Sequence, residues 1–186
     1  TGATISGIGP FSGQPVGMNP NYCMATNAGV SYILYSNAAL PGANFTGFNL
    51  SGCTLTQANF SNANFTNTNL INTNLTGANL TGTTLTNANL TNATLSAITS
   101  SGIIGTPSAM PAGTAVVKGY LLSPSTYNKN MNLSGANLAG ISLTNSYIPG
   151  VNFSNADLTN VNFTNTYLPC ADLSGANVSN ANFGSA

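Results

Sequence analysis

Large apolar residues recur at every fifth position along much of this chain. Phe45, Leu50, Leu55, Phe60, Phe65, Leu70, Leu75, Leu80, Leu85, Leu90 and Leu95 form one unbroken series. Two positions before them stand small residues, among them Ala43, Cys53, Ala58, Ala63, Ala78 and Ala88. The position between is usually Asn; Thr or Ser follows the large residue, and Gly or Asn closes the unit, as at Gly77 and Asn87. A period of five is neither the helical 3.6 nor the strand period of 2. Gly and Asn tolerate the backbone angles of tight turns. The frame covers residues 43–97 in about eleven units and returns over 131–185 for about eleven more.

Units such as "ANLAG", "VNFSN", "ADLTN" and "ADLSG" resemble the pentapeptide-repeat family, whose motif reads A(D/N)Lxx. The resemblance spans roughly 110 of the 186 residues. It implies an all-β fold, a right-handed quadrilateral β-helix or solenoid with four pentapeptides to each square turn. On that resemblance the large residue and the small one before it point inward, and the other three point out. Small and large residues alternating around a narrow tube fill it without voids. Coils stacked about 4.8 Å apart would pair backbone to backbone and align their outward Asn and Thr in ladders. A twenty-residue coil further predicts that unusual residues recur at spacing twenty, as Tyr127, Tyr147 and Tyr167 do, and Phe163 and Phe183.

The frame breaks at 1–42 and at 98–130, and the two breaks are alike. "ISGIGPFSGQPVG" (5–17) matches "SSGIIGTPSAMPAG" (100–113), and "GVSYILYS" (29–36) matches "VVKGYLLS" (116–123). Tyr32 and Tyr120 stand 88 positions apart, as do Asn44 and Asn132. The chain therefore reads as two tandem modules, each an irregular lead-in followed by repeats: lead-in 1–42 with β-helix 43–97, and lead-in 98–130 with β-helix 131–185. Gly- and Pro-rich stretches of the lead-ins predict turns, and "SYIL" and "GYLL" predict short strands. Solenoids normally end in capping elements, and the last repeat here, "ANFGS" (181–185), shows no capping pattern. Within the chain, Ala93–Ala97 runs into the second lead-in. The expectation is that Ala181, Asn182 and Phe183 meet the first lead-in of another copy, with Ile5, Ile8 and Phe11 on the receiving side. Such a contact is heterologous and non-closing, and it makes a fibre.

Charge narrows the functions further. Only Lys118, Lys129, Asp157 and Asp172 are charged, and His, Arg, Glu and Trp are absent. There is no basic footprint for nucleic acid and no apolar run of membrane-spanning length; neither nucleic-acid binding nor membrane insertion is expected. With 42% hydrophobic residues and zero net charge, the chain can bury a core and is prone to associate with itself. A start at Thr1 fits a cleaved secretion signal as well as a chain cut for expression.

Catalysis has few materials. Asp157 and Asp172 are fifteen residues apart and face different sides of a square coil, so they make no carboxylate pair. The expectation is no enzyme, no cofactor and no metal site. Cys23, Cys53 and Cys170 lack metal-ligand spacing. Cys53 holds an inward small position and Cys23 is its disulfide candidate if the protein is secreted; Cys170, at an outward corner, is either free or intermolecular. Asn-x-Ser/Thr sequons at Asn44, Asn59, Asn79, Asn152 and Asn162 follow from the repeat itself. Tyr127, Tyr147 and Tyr167 form a candidate surface ladder, read as stacking between coils, a strip for lateral filament bundling, or a sugar platform.

Three functions compete. The first is a secreted structural protein, extracellular or at the cell surface, whose partner is itself as a head-to-tail homopolymer. The second is ice binding through outward hydroxyls such as Thr46, Thr66 and Thr86. The third comes from the resemblance, since some pentapeptide-repeat proteins mimic DNA and protect or inhibit gyrase. That mimicry needs a densely acidic surface, and two Asp with no Glu depart from it.

Overall fold

A computed structural model of the protein describes residues 22–27 and 30–186. Ile5, Ile8 and Phe11 lie outside them. Among the described residues the repeats form walls of one bridging residue each. The residue between the small and the large inward positions pairs in parallel with residues twenty before and twenty after, as in the series Asn44, Asn64, Thr84 and Ile104. Every isolated bridge has this spacing of twenty, so a coil is four five-residue units.

One unit shows why the sequence folds this way. Ala63 and Phe65 point inward and are buried. The Asn64 amide donates to the Ala43 carbonyl at 2.9 Å, and the Phe65 amide donates to the Thr84 carbonyl at 2.8 Å, so one unit bonds to both neighbouring coils. Asn67 turns the corner at φ 57°, and the Thr68 amide closes the turn on Phe65 at 3.0 Å. The core is a column of such inward residues; Phe45 stacks on Phe65 with ring centroids 5.1 Å apart.

The wall Asn does more than face outward. Its side-chain oxygen accepts the amide two residues on, as Asn64 does from Thr66 at 2.9 Å and Asn74 from Thr76 at 3.0 Å. This local bond satisfies a corner amide that the next coil does not reach, and it explains why Asn or Asp fills the position. The expected Asn ladders exist beside it, with Asn79 on Asn59 at 3.3 Å and Asn165 on Asn145 at 3.2 Å. Where Thr takes an inward small position, its hydroxyl finds a backbone carbonyl: Thr68 donates to Phe45 of the preceding coil at 2.7 Å and Thr73 to Leu50 at 3.0 Å, whereas Thr83 donates to Leu80 in its own coil at 2.8 Å.

Two antiparallel hairpins interrupt the pattern. Strands β1 (Tyr22–Asn27) and β2 (Val30–Tyr35) pair with Cys23 opposite Leu34. Strands β3 (Ala115–Val117) and β4 (Tyr120–Leu122) pair around Lys118 and Gly119. Those two residues have φ of 47° and 77°, the left-handed pair that two-residue hairpin turns require. The "SYIL" run lies in β2, and "YLL" of the "GYLL" run forms β4, with Gly119 in the turn before it.

The chain divides into two units, residues 1–95 with 103–111, and residues 96–102 with 112–186. In the first, regular coils begin at Ala38, one unit ahead of residue 43, because Ala39 already bridges Asn59. Cys23, Ala25 and Leu34 are buried, and Asn27 donates to the Thr46 carbonyl at 2.9 Å. In the second, Ala115, Val117 and Tyr120 pack against the core that starts at Leu122 and Met131, and Lys118 donates to the Ser134 carbonyl. Thr46 and Ser134 are themselves 88 positions apart, so each hairpin tip holds the same corner of its own unit. The segment 98–130 thus serves both units: Ile104 and Ala109 bridge Thr84 and Asn89 in the first, whereas Ser100 exchanges bonds with Leu121 in the second.

Candidate functional site

The coil formed by residues 167–186 is the most exposed part of the solenoid core. Ala171, Leu173, Ala176, Ala181 and Phe183 are only partly buried, and Val178 is 43% exposed. Residues in the same positions 88 earlier, Leu85, Ala88 and Leu90, are fully buried. Phe183 stacks inward on Phe163 at 4.8 Å, and Asn182 bridges Asn162 and bonds Thr164 at 3.1 Å. Ala181, Asn182 and Phe183 therefore form one wall of this coil, paired on their inner side. The residues expected to meet them, Ile5, Ile8 and Phe11, lie outside the described residues.

Tyr127, Tyr147 and Tyr167 occupy one wall on successive coils. Their rings stack at 5.0 and 5.1 Å with interplanar angles of 14° and 7°. Each ring face is turned along the stack, so the wall shows edges and phenolic oxygens outward. The two end rings, Tyr127 and Tyr167, are about half exposed, at 49% and 56%. A sugar platform needs ring faces, and this ladder keeps its faces for itself.

Cys23 and Cys53 form a disulfide that ties the first hairpin to the first coil, across 30 residues of sequence. Cys170 is free and exposed at a corner with φ 58°. Asp157 and Asp172 stand on different walls, Asp157 bridging Asn137 and Asp172 bridging Asn152. Asp157 accepts the Thr159 hydroxyl at 2.5 Å and its amide at 3.0 Å. The hydroxyl first, then the amide, hold its carboxyl below the ordinary value; Ser174 does the same for Asp172. They act as Asn substitutes in the corner bond. Among the described residues no three His, Cys, Asp or Glu side chains gather as metal ligands, and no helix is long and apolar enough to cross a membrane.

Sequence reasoning passed over the outward edge of the last coil's backbone. The amides of Leu173, Gly175 and Val178 have no hydrogen-bond partner among the described residues. Their counterparts Leu85, Asn87 and Leu90 donate to Ile104, Thr106 and Ala109 at 2.8–2.9 Å. The signal was present in the 88-residue offset, once 103–111 is known to pair backward.

Stacked four-sided coils with a locally bonded wall Asn and left-handed corners define a right-handed quadrilateral β-helix. The chain belongs to the pentapeptide repeat family, whose profile, described as Pentapeptide repeats, matches in eight copies over residues 36–70, 58–96, 129–165 and 149–184. Among solved structures it is similar to HetL, a pentapeptide repeat protein involved in heterocyst differentiation regulation from the cyanobacterium Nostoc sp. strain PCC 7120. That likeness has 19% identity over 81% of this chain and 84% of HetL, with a TM-score of 0.35. Rfr23 from the cyanobacterium Cyanothece 51142 has 24% identity over 79% and 85%, with a TM-score of 0.29. QnrB1, a plasmid-mediated fluoroquinolone resistance protein, has 17% identity over 81% and 74%, with a TM-score of 0.36. No curated protein matches the chain in sequence.

Proposed function

We propose that this chain is a non-catalytic structural protein that assembles head to tail, through the exposed coil 167–186, into extracellular filaments or a surface layer. One observation carries the reading. The coil that matches it 88 positions earlier accepts an added backbone strip, residues 103–111, along Thr84 and Asn89, so a coil of this sequence can take further backbone along its edge. An edge of this kind is a template for pairing with another chain. Two features support it. Near-absence of charge removes the repulsion that keeps copies apart. The Cys23–Cys53 disulfide suits an oxidising, extracellular compartment. The Tyr edges of the second unit would then lie along the filament flank, where lateral bundling occurs.

The alternatives meet specific obstacles. An ice-ordering face needs free, regularly spaced hydroxyls, yet Thr46, Thr66, Thr91 and Thr164 donate theirs to the neighbouring wall Asn at 2.6–2.7 Å. Gyrase inhibition by DNA mimicry would have to rest on two carboxylates. Sedimentation velocity and negative-stain electron microscopy of the purified chain at neutral pH test the proposal. Concentration-dependent filaments are the expected outcome; a dispersed monomer at high concentration would overturn it.

A further inference from the structure

The stretch 96–102, which leads into the second unit and belongs to it, departs from the spacing of twenty. In regular coils an amide donates to a carbonyl 19 positions ahead or 21 behind, as Asn128 does to Tyr147 and Tyr147 to Thr126. Here Ala97 donates to Ser125, 28 ahead, and Ile98 accepts from Tyr127, 29 behind. Those bonds correspond to coil offsets of 29 and then 28, so the ladder slips by one residue between Ala97 and Ile98. Gly113 accepts from Ser142 at the same offset of 28. The twenty-residue period therefore does not decide where this stretch sits.

Side-chain size does not decide it either. At offset 28, Ile98 stands in the small inward column with Thr126, and Ser100 stands in the large column with Asn128. Both Ile98 and Ser100 are fully buried, yet their sizes are reversed against the repeat. A shift of two residues would keep the same faces inward. It would put Ser96 in the small column and Ile98 in the large one, as the repeat pattern asks. Asn128 opposes that shift. From 128 to 183 every other large inward position holds Leu, Ile, Val or Phe, and the place 88 earlier holds Leu40. The Asn128 side-chain oxygen accepts the Ser100 amide at 3.3 Å. The Ser100 hydroxyl in turn accepts the Leu121 amide at 3.0 Å and donates to the Leu121 carbonyl at 3.2 Å. Turning the Asn128 carboxamide over would set donor against donor at Ser100, so its orientation is fixed. Its Nδ2 is then buried with no hydrogen-bond partner among the described residues, which costs stability. A stabilising role alone does not account for an Asn in this place.

We infer that Asn128 and Ser100 form a buried polar key that fixes the register of 96–102 on the second unit, at the expense of stability. With Ile98 over Asn128 instead, the carboxamide would face hydrocarbon with its oxygen as well as its nitrogen unmet, and the shifted arrangement is excluded. A single buried Asn that sets the register of an otherwise apolar seam is the device used in coiled coils. Its effect reaches the second hairpin. Leu121, which Ser100 grips through both backbone groups, lies in β4, so the key also sets where β3 and β4 lie against the coil.

The full chain tests it, with a thermal melt, two-dimensional NMR and amide hydrogen exchange as readouts. Asn128→Leu makes Ile98 the better neighbour for this position. The thermal midpoint should equal or exceed that of the natural chain, while the single arrangement is lost. Ile98, Ser100 and Leu121 should each give a second amide signal, and the Ile98 methyls should show new nuclear Overhauser contacts to the side chain at 128. The Leu121 amide, left without the Ser100 hydroxyl, should exchange about tenfold faster. Ser100→Ala removes the grip on Leu121 without adding bulk and should also bring out a second signal for Ile98. One set of signals in Asn128→Leu, with Leu121 exchanging as in the natural chain, would overturn the key. A lower midpoint with one set of signals would overturn it as well, because Asn128 would then serve stability alone. If Asn128→Leu does not fold, Ser100→Ala decides: a second Ile98 signal supports the key, and a single one overturns it.

Discussion

Breaking the Cys23–Cys53 disulfide gives the sharpest prediction about the first unit. The bond closes a loop with a sequence separation of 30 and is the disulfide that, among the described residues, cross-links the first hairpin to the coils. Restricting a loop of that length removes denatured-state entropy equivalent to about 3.6 kcal/mol at 25 °C in the chain-entropy treatment. The pair Cys23→Ala with Cys53→Ala leaves little cavity, because Cys53 holds a position that Ala fills at Ala43, Ala58 and Ala63. If the hairpin and coils unfold together, the midpoint of thermal unfolding should fall by about 7–14 °C for a chain of this size. Hydrogen exchange should show where the loss begins: β1 amides lose protection first, while amides of Phe60 and Phe65 keep theirs. The assay is a thermal melt of the double variant beside a melt of the natural chain with and without reductant. An unchanged midpoint in both, with β1 amides equally protected, would refute the claim that this bond holds the hairpin to the coil.

Further consequences follow from the corners and walls. Asn74→Ala removes the acceptor for the Thr76 amide and should cost about 0.5–1.5 kcal/mol in urea unfolding; Asn74→Asp should restore it, as Asp157 does naturally. Ala97 sits at a corner with φ 54°, where a Cβ is unfavourable, so Ala97→Gly should stabilise by about 0.5–1 kcal/mol. Asp157 and Asp172 have lowered carboxyl values. Their contribution is complete above the ordinary Asp value near 3.8 and disappears as pH falls through the lower folded values. With no His in the chain, thermal midpoints should stay level from about pH 5 to pH 7 and decline only below about pH 4.

Much of the fold could be read from residue order because each unit is self-describing. Small, Asn, large, hydroxyl and Gly/Asn each answer to a local need, so the frame, the inward positions, the corners and the two hairpin runs were all visible. The chemistry of the wall Asn was harder to see. A ladder and a bond two residues on call for the same residue type, and only backbone geometry reveals that the local bond predominates. Residues 103–111 were harder still. They carry no pentapeptide pattern, and their pairing is fixed by the coil twenty residues back, so sequence assigned them to the module that follows. Corners at Gln57, Ala97, Ser125 and Cys170 break the Gly/Asn rule. There the stacked neighbours impose a backbone conformation that the residue itself disfavours.

The central claim is that the contact between copies is polar, with one donating end and one accepting coil. Copies carrying Phe183→Asp and Val178→Lys can still donate but cannot accept. Mixed at a few per cent into the natural chain, they should terminate growing filaments, so that mean length measured by electron microscopy falls in inverse proportion to their fraction. If the altered copies lengthen filaments as the natural chain does, or stay out of them and leave length unchanged, head-to-tail assembly through the coil 167–186 is contradicted.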